Sequence, residues 1–190
     1  HMNKVLEVNP KEGWVKVQAG VVKDKLNDIL RPHGYFFSPD LSTSNRATLG
    51  GMINTDASGQ GSLVYGKTSD HILGLKTVLL DGHVLDSGPV SLEQAESIAR
   101  QDNRIARIYR QVIDTCVGEE THIREKFPPL NRFLTGYDLK HAYDPEKQKI
   151  DVSRVIAGSE GTLGFVSEAK LNITPIPKHR VLVNVKYSNF

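Results

Sequence analysis

The stretch GSLVYGKT, residues 61–68, places Gly61, Gly66, Lys67 and Thr68 at the spacing G-x-x-x-x-G-K-[ST], the pattern of a loop that cradles nucleotide phosphates. That chemistry needs a buried strand leading into a tight glycine turn. A helix must then start at once, so that its free N–H groups face phosphate. The flanks read otherwise. TDASGQ precedes the motif where an apolar strand is required, and SDHILGLKTVLLDGHVL follows it with the pattern of a hairpin. Leu63, Val64 and Tyr65 are bulky where backbone must approach phosphate. Asp81, a formal magnesium ligand, stands in an Asp-Gly pair that a two-residue hairpin turn explains. The expectation is a strand-entry turn in which Gly66 relieves backbone strain.

The same residues fall within a larger pattern. PDLSTSNRATLGGMINTDASGQGS, VYGKTSDHI and AGSEGTLGF each mix glycine with small hydroxyl and amide side chains. Such stretches let backbone approach a large polar ligand and offer it N–H, O–H and amide donors. A flat cofactor with a pyrophosphate tail suits them. Any single glycine is equally explained as a turn residue; three such stretches on one chain point to a ligand.

The elements that must carry these stretches follow from periodicity. KVLEVNP and WVKVQAG alternate apolar and polar residues around the turn PKEG, which reads as a hairpin. VVKDKLNDILRPHG places Val22, Leu26, Ile29 and Leu30 on one helical face and stops at Pro32 and Gly34. Residues 38–69 read as a long ordered loop or a short strand wrapped in loops, and a loop of that length in a compact domain is usually functional. HILGLKTVLLDGHVLDSG reads as two strands. Residues 91–126 carry helical spacing through Ala95, Ile98 and Ala99, then Ile105, Ile108, Val112 and Ile113. DPEKQKIDVS reads as an exposed connection, RVIAGSEGTLGFVSEAKLNITPIP as β-rich around a glycine turn, and HRVLVNVKYSNF as a further strand. The fold class expected is α+β: a mixed, mostly antiparallel sheet with packed helices and a helical excursion at about 91–140.

A chain of 190 residues, 38% hydrophobic and 24% charged, is long enough for one domain with a real core. The net charge of +2 gives no electrostatic case for a nucleic-acid partner. No apolar run approaches the ~18 residues of a membrane span. One cysteine, Cys116, and no secretory signal point to a reducing compartment, the cytoplasm. His1 and Met2 read as a vector remnant.

Taken together, SPDLSTSNRATLGGMINTDASGQGSLVYGKTSDHILGLKTVLLDG and RVIAGSEGTLGFVSEAKLNITPIP resemble the FAD-binding domain of the vanillyl-alcohol-oxidase type, the FAD-linked oxidase family. The elements Leu49-Gly50-Gly51, Tyr65-Gly66 and Gly158-Ser159-Glu160-Gly161-Thr162-Leu163-Gly164 carry the likeness. NRFLTGYDL resembles the branch whose long members join this domain to an iron–sulfur domain and oxidise D-2-hydroxy acids such as D-2-hydroxyglutarate or D-lactate. The resemblance implies that residues 3–180 form the second FAD subdomain and that 181–190 begin a substrate or cap domain. It implies that Pro39, Asp40, Thr48, Leu49, Gly50 and Gly51 line the flavin. Asn54, Gly59 and Gly61 then lie near the ribityl and pyrophosphate, with Tyr65 and Gly66 on the same wall. Glu160, Gly161, Thr162, Gly164 and Val166 approach from the other side.

The resemblance also sets limits. The family's pyrophosphate-gripping loop, of the type R-G-G-G-T-S, is not found upstream of Asn3. Each hydrogen bond to a charged oxygen so lost is worth about 1.5–3 kcal/mol, so this chain alone is expected to bind FAD weakly or not at all. An iron–sulfur cluster belongs, if anywhere, to the parent protein outside this chain. Arg132 and Tyr137 are candidates to clamp and hydrogen-bond a substrate carboxylate. Among His33, His71, His83, His122, His141 and His179 only His71 adjoins the expected flavin wall, and none is assigned as the base that takes the hydroxyl proton. Two other readings fit the residues: a non-catalytic interaction module that docks a partner on the helical excursion, and a phosphate-loop nucleotide binder.

Overall fold

The computed structural model describes residues 2–130, 136–179 and 181–189. Along the chain run β1 (Val5–Asn9), β2 (Trp14–Gln18), α1 (Lys23–Leu30), β3 (Tyr35–Phe36), α2 (Leu49–Asn54), α3 (Ser62–Tyr65), β4 (Ile72–Val78) and β5 (Val84–Ser87). There follow β6 (Pro89–Ser91), α4 (Leu92–Ala99), α5 (Arg104–Cys116), α6 (Glu120–Lys126), β7 (Tyr143–Asp144), β8 (Lys149–Asp151), α7 (Val152–Ile156), β9 (Phe165–Asn172) and β10 (Thr174–Pro175). The class is α+β, and among the described residues every strand pair is antiparallel.

A five-stranded sheet in the order β1-β2-β9-β4-β5 is the frame. The alternation of β2 sends Val15 and Val17 into the core and Trp14, Lys16 and Gln18 outward. Val15 pairs with Leu171, and Leu75 with Ala169, so three strands share one apolar face. Leu26, Leu30, Leu49, Met52, Ile53 and Ile156 belong to the same core. The outer face is polar: Lys16 Nζ lies 3.0 Å from Glu168 Oε2, and Lys170 Nζ sits 4.0 Å over the Trp14 ring.

The helical excursion forms as its spacing requires. Ser91 and Gln94 make a reciprocal capping box at α4, and Asn103 Oδ1 accepts from Ala106 N–H at 2.8 Å to start α5. Among the described residues no helix is long and apolar enough to cross a membrane.

Four local expectations are corrected. Residues 38–69 are not one loop: Thr48 Oγ1 accepts from Gly51 N–H at 3.3 Å and starts α2, and α3 follows. The β4–β5 turn is longer than two residues. Leu79 N–H donates to His83 O and Gly82 N–H to Leu79 O, which leaves a three-residue loop with Gly82 at φ +83°. DPEKQKIDVS is no plain connection, because Asp144 Oδ1 accepts from Glu146 and Lys147 N–H and turns the chain from β7 into β8, which also pairs with β6. Residues 181–189 alternate like a strand but pair with no other strand among the described residues, and Val181 is 85% exposed.

Asp151 caps α7 by accepting from Ser153 N–H at 3.0 Å. Burial pushes its carboxyl above the ordinary value of 3.8, against the Ser153 hydrogen bond and the Arg154 charge. A raised folded value means that the folded state loses stability as pH rises through it. Asp151→Asn keeps the cap acceptor and removes the desolvated charge. It is expected to stabilise the chain by ~0.5–1 kcal/mol at neutral pH, as cap and charge optimisation commonly do. In urea denaturation that gain should vanish below pH 3.8, where Asp151 is already neutral.

Candidate functional site

The glycine-rich stretches, far apart in sequence, meet at the C-terminal end of α2. Leu49 N–H donates to Val21 O and Gly50 N–H to Ala19 O, both at 2.8 Å, which lays α2 against the end of β2. Leu49, Met52 and Ile53 are buried beneath it, while Gly51 is exposed. The last turn of α2 has no further helix to donate N–H groups to its carbonyls. The third stretch supplies the donors: Gly158 N–H reaches Ile53 O at 2.9 Å and Glu160 N–H reaches Asn54 O at 2.8 Å. To do so the turn takes left-handed backbone at Gly158 (φ +78°), Glu160 (+52°) and Gly161 (+80°). The two outer positions favour glycine for that reason.

Tyr137 closes this cleft. Thr162 Oγ1 donates to Ser159 O at 2.7 Å, so the Tyr137 hydroxyl, 2.9 Å away, is the donor to Thr162. The cleft encloses about 470 Å³, with Thr55, Asp56, Lys67, Tyr137, Glu160 and Thr162 among its lining residues. The first two stretches border a larger cleft of about 1040 Å³ that Asp40, Gly61 and Tyr65 help to line. Gly59 lies against Asp40, and the Tyr65 ring stands edge-on to Phe36 at 5.6 Å. Lys23 Nζ holds the Asp40 carboxylate at 3.3 Å.

The expected site residues thus divide into three groups. Asp40, Gly61 and Tyr65 line the larger cleft, with Pro39 buried behind Asp40, and Gly59 and Gly66 flanking α3. Glu160 and Thr162 line the smaller one with Tyr137, and Gly161 lies between them. Thr48, Gly51 and Asn54 mark α2. Leu49, Gly50, Gly164 and Val166 are buried, Val166 in the core of β9. Arg132 lies outside the described residues.

Lys67 is not poised for phosphate. It is 3% exposed, and its ammonium lies 2.6 Å from Asp56 Oδ2 and 3.9 Å from Asp138 Oδ2. The Thr68 hydroxyl is spent on Ala57 O at 2.6 Å. His71 is equally committed: Nε2 lies 2.8 Å from Tyr65 O, Nδ1 bonds Asn172 Oδ1, and the ring packs edge-on to Phe37. Cys116 is buried, and desolvation, with the charge of Asp138, pushes its thiol up to about 11, so it carries no thiolate at neutral pH.

Sequence reasoning missed the charged network under the clefts. Asp56 Oδ1 accepts from Ser69 N–H at 2.8 Å and Oδ2 from Ser69 Oγ at 3.1 Å. Arg154 reaches Ser69 Oγ at 3.2 Å and Asp70 Oδ1 at 2.8 Å. Burial pushes the Asp70 carboxyl up, but the Arg154 hydrogen bond, the Lys67 N–H and the charges of both residues together outweigh it and hold the carboxyl below its ordinary value. The signal available was that Asp56, Lys67 and Asp70 stand among small residues in the first two glycine-rich stretches.

The residues fit a flat cofactor with a polar tail. A Cβ at Gly161 would meet no atom within 4 Å, and one at Gly51 only Thr48 Oγ1, so bare backbone faces open space on both sides of the α2 junction. Two buried oxygens beside that junction, Asn54 Oδ1 and Ser159 Oγ, have no hydrogen-bond partner among the described residues.

Residues 1–88 match the family model described as FAD binding domain. D-2-hydroxyglutarate dehydrogenase of Escherichia coli (strain K12) is 60% identical over 190 residues, covering 100% of this chain and 19% of that protein. The enzyme of the same name from Pantoea ananatis (strain AJ13355) is also 60% identical over 190 residues, with the same coverage. The chain therefore spans about a fifth (19%) of the length of these relatives. Among solved structures, alkyldihydroxyacetonephosphate synthase matches with a TM-score of 0.57 at 24% identity over 94% of this chain and 22% of that one, a likeness of fold.

Proposed function

We propose that this chain is the FAD-binding part of a flavin-dependent oxidoreductase of the FAD-linked oxidase family, which oxidises a D-2-hydroxy acid, D-2-hydroxyglutarate foremost, to the 2-oxo acid. The observation that carries this reading is identity of 60% along the whole chain with D-2-hydroxyglutarate dehydrogenases. The joined glycine-rich turns give it a physical basis. Asp40, Thr48, Gly51, Asn54, Gly59, Gly61, Tyr65 and Gly66 face the flavin from one side, with Pro39 behind them, and Glu160, Gly161 and Thr162 from the other. Leu49, Gly50, Gly164 and Val166 support them from beneath. Residues 3–180 form the second FAD subdomain with the excursion at 91–140, and 181–190 lead toward a substrate domain. An iron–sulfur cluster, where the whole protein has one, lies outside this chain.

A bound flavin supplies the acceptor for the electron pair from the hydroxyl-bearing carbon. The chain's own residues hold and orient. Tyr137, whose hydroxyl already donates to Thr162, turns that donor to the substrate carboxylate, and Arg132 adds charge. The hydroxyl proton passes to a base; His71, with both ring nitrogens engaged, is not that base. We place the protein in the cytoplasm, consistent with a single, buried cysteine.

The test is anaerobic addition of D-2-hydroxyglutarate to the full-length protein. The flavin's visible absorbance should bleach with the D but not the L enantiomer. A full-length protein without flavin, or a flavin that stays oxidised with both D-2-hydroxyglutarate and D-lactate, overturns the reading.

A further inference from the structure

We propose that Lys67 is a positioning residue: through Asp138 it holds Tyr137 on the glycine-rich cleft. The proposal rests on the reading of that cleft as the flavin and hydroxy-acid wall. One side of the network is rigid. Asp56 is bonded twice by Ser69, which Arg154 from α7 also reaches. Lys67 reaches out from that anchor. Its ammonium contacts Asp56 at 2.6 Å and extends to Asp138 at 3.9 Å, with all three side chains at most 7% exposed.

Asp138 sits in residues 136–141, a segment with neither helix nor strand to hold it. Its carboxylate also accepts from His141, through Nδ1 at 2.9 Å and the backbone N–H at 3.2 Å, so one side chain gathers the segment and ties it inward. Tyr137 stands between Gly136 and Asp138 and is itself exposed, at 42%. A Cβ on Gly158 would come 4.0 Å from Gly136 O, so the segment crosses the Gly158–Gly161 turn closely.

Charge balance gives the reason. One carboxylate, that of Asp56, is enough to balance the charge of Lys67. A second buried carboxylate adds a desolvation cost that charge pairing does not require. Its return is geometric: it fixes a loop that has no backbone ladder of its own. The lysine of the phosphate-loop pattern is thereby used inward, as an anchor.

The test uses the full-length protein. Lys67→Met/Asp56→Asn removes the anchoring pair as a unit, keeps an acceptor for Ser69, and leaves Asp138 its bonds from His141. Hydrogen exchange of residues 136–141 should quicken about tenfold or more while β9 stays protected. The KM for D-2-hydroxyglutarate should rise about tenfold, as in Tyr137→Phe, with kcat within about twofold, and the combined variant should be no worse than either alone. Unchanged exchange at 136–141, or KM effects that multiply in the combined variant, overturns the proposal. If the double exchange does not fold, the isosteric Asp138→Asn carries the same measurements. Faster exchange in a protein that oxidises no D-2-hydroxy acid upholds the tether and removes the proposed function instead.

Discussion

Lys67→Met alone should lower the free energy of unfolding by about 3–5 kcal/mol, the range for removing one partner of a buried ion pair. The size follows from what is left behind. Asp56 and Asp138, each about as buried as Lys67 itself, lose the cation that accompanies them. Asp56 keeps its bonds from Ser69 and Asp138 those from His141, which softens the loss without replacing the charge.

The effect has a pH signature. Burial pushes the Asp138 carboxyl up, but the His141 hydrogen bond and charge and the Lys67 charge outweigh it and hold the group below 3.8. A depressed folded value contributes stability that is present above 3.8 and is lost as pH falls through the folded value. Removing Lys67 removes part of that contribution. The gap between wild type and variant should therefore be widest near neutral pH and narrow toward pH 3.8 and below. Urea denaturation at several pH values measures it. A neutral-pH difference under ~1 kcal/mol, within the range of exposed pairs, would contradict the buried-pair account.

The second large effect is expected at Gly59. A Cβ there would lie 1.5 Å from Asp40 O and 2.6 Å from Asp40 C. A Cβ cannot rotate away, and the atoms it meets are backbone, so residues 59–62 must lift from residues 38–41. Gly59→Ala should cost about 3 kcal/mol, the upper end for overpacking. Gly13→Ala is the control: its φ is +74°, but a Cβ would meet nothing within 4 Å, so only the left-handed penalty of about 1–2 kcal/mol applies. Because Asp40, Gly61 and Tyr65 line one cleft beside the displaced contact, the proposed flavin reading predicts that Gly59→Ala also strips flavin from the full-length protein while Gly13→Ala does not. Equal denaturation midpoints for the two variants would refute the contact.

How far the fold could be read from sequence depended on the range of the forces involved. The β1–β2 hairpin is written in alternation and a glycine turn. Helices α4 and α5 are written in 3.6-residue spacing and in the caps Ser91 and Asn103. These signals act over a few residues, so the sequence alone carries them. Helix α2 was missed because Gly50, Gly51 and Asn54 have poor helix propensity; the Thr48 cap and burial of Leu49, Met52 and Ile53 decide it. Strand β8 was missed because a three-residue strand shows no period, and its ladders to β6 and β7 make it one.

The site divides the same way. The three glycine-rich stretches, and the polar cofactor they suit, were legible from residue types alone, because small residues with hydroxyls and amides have few other uses at that density. Their assembly was not. That Glu160 N–H completes α2 depends on β9 pairing with β2 and β4, which brings together segments that no local signal relates. The fate of Lys67 is the clearest case. Its motif is satisfied letter by letter, but an ammonium goes to whichever carboxylates share its burial. Asp56 and Asp138 become those partners only when the chain packs two separate glycine-rich stretches and the segment 136–141 around one point.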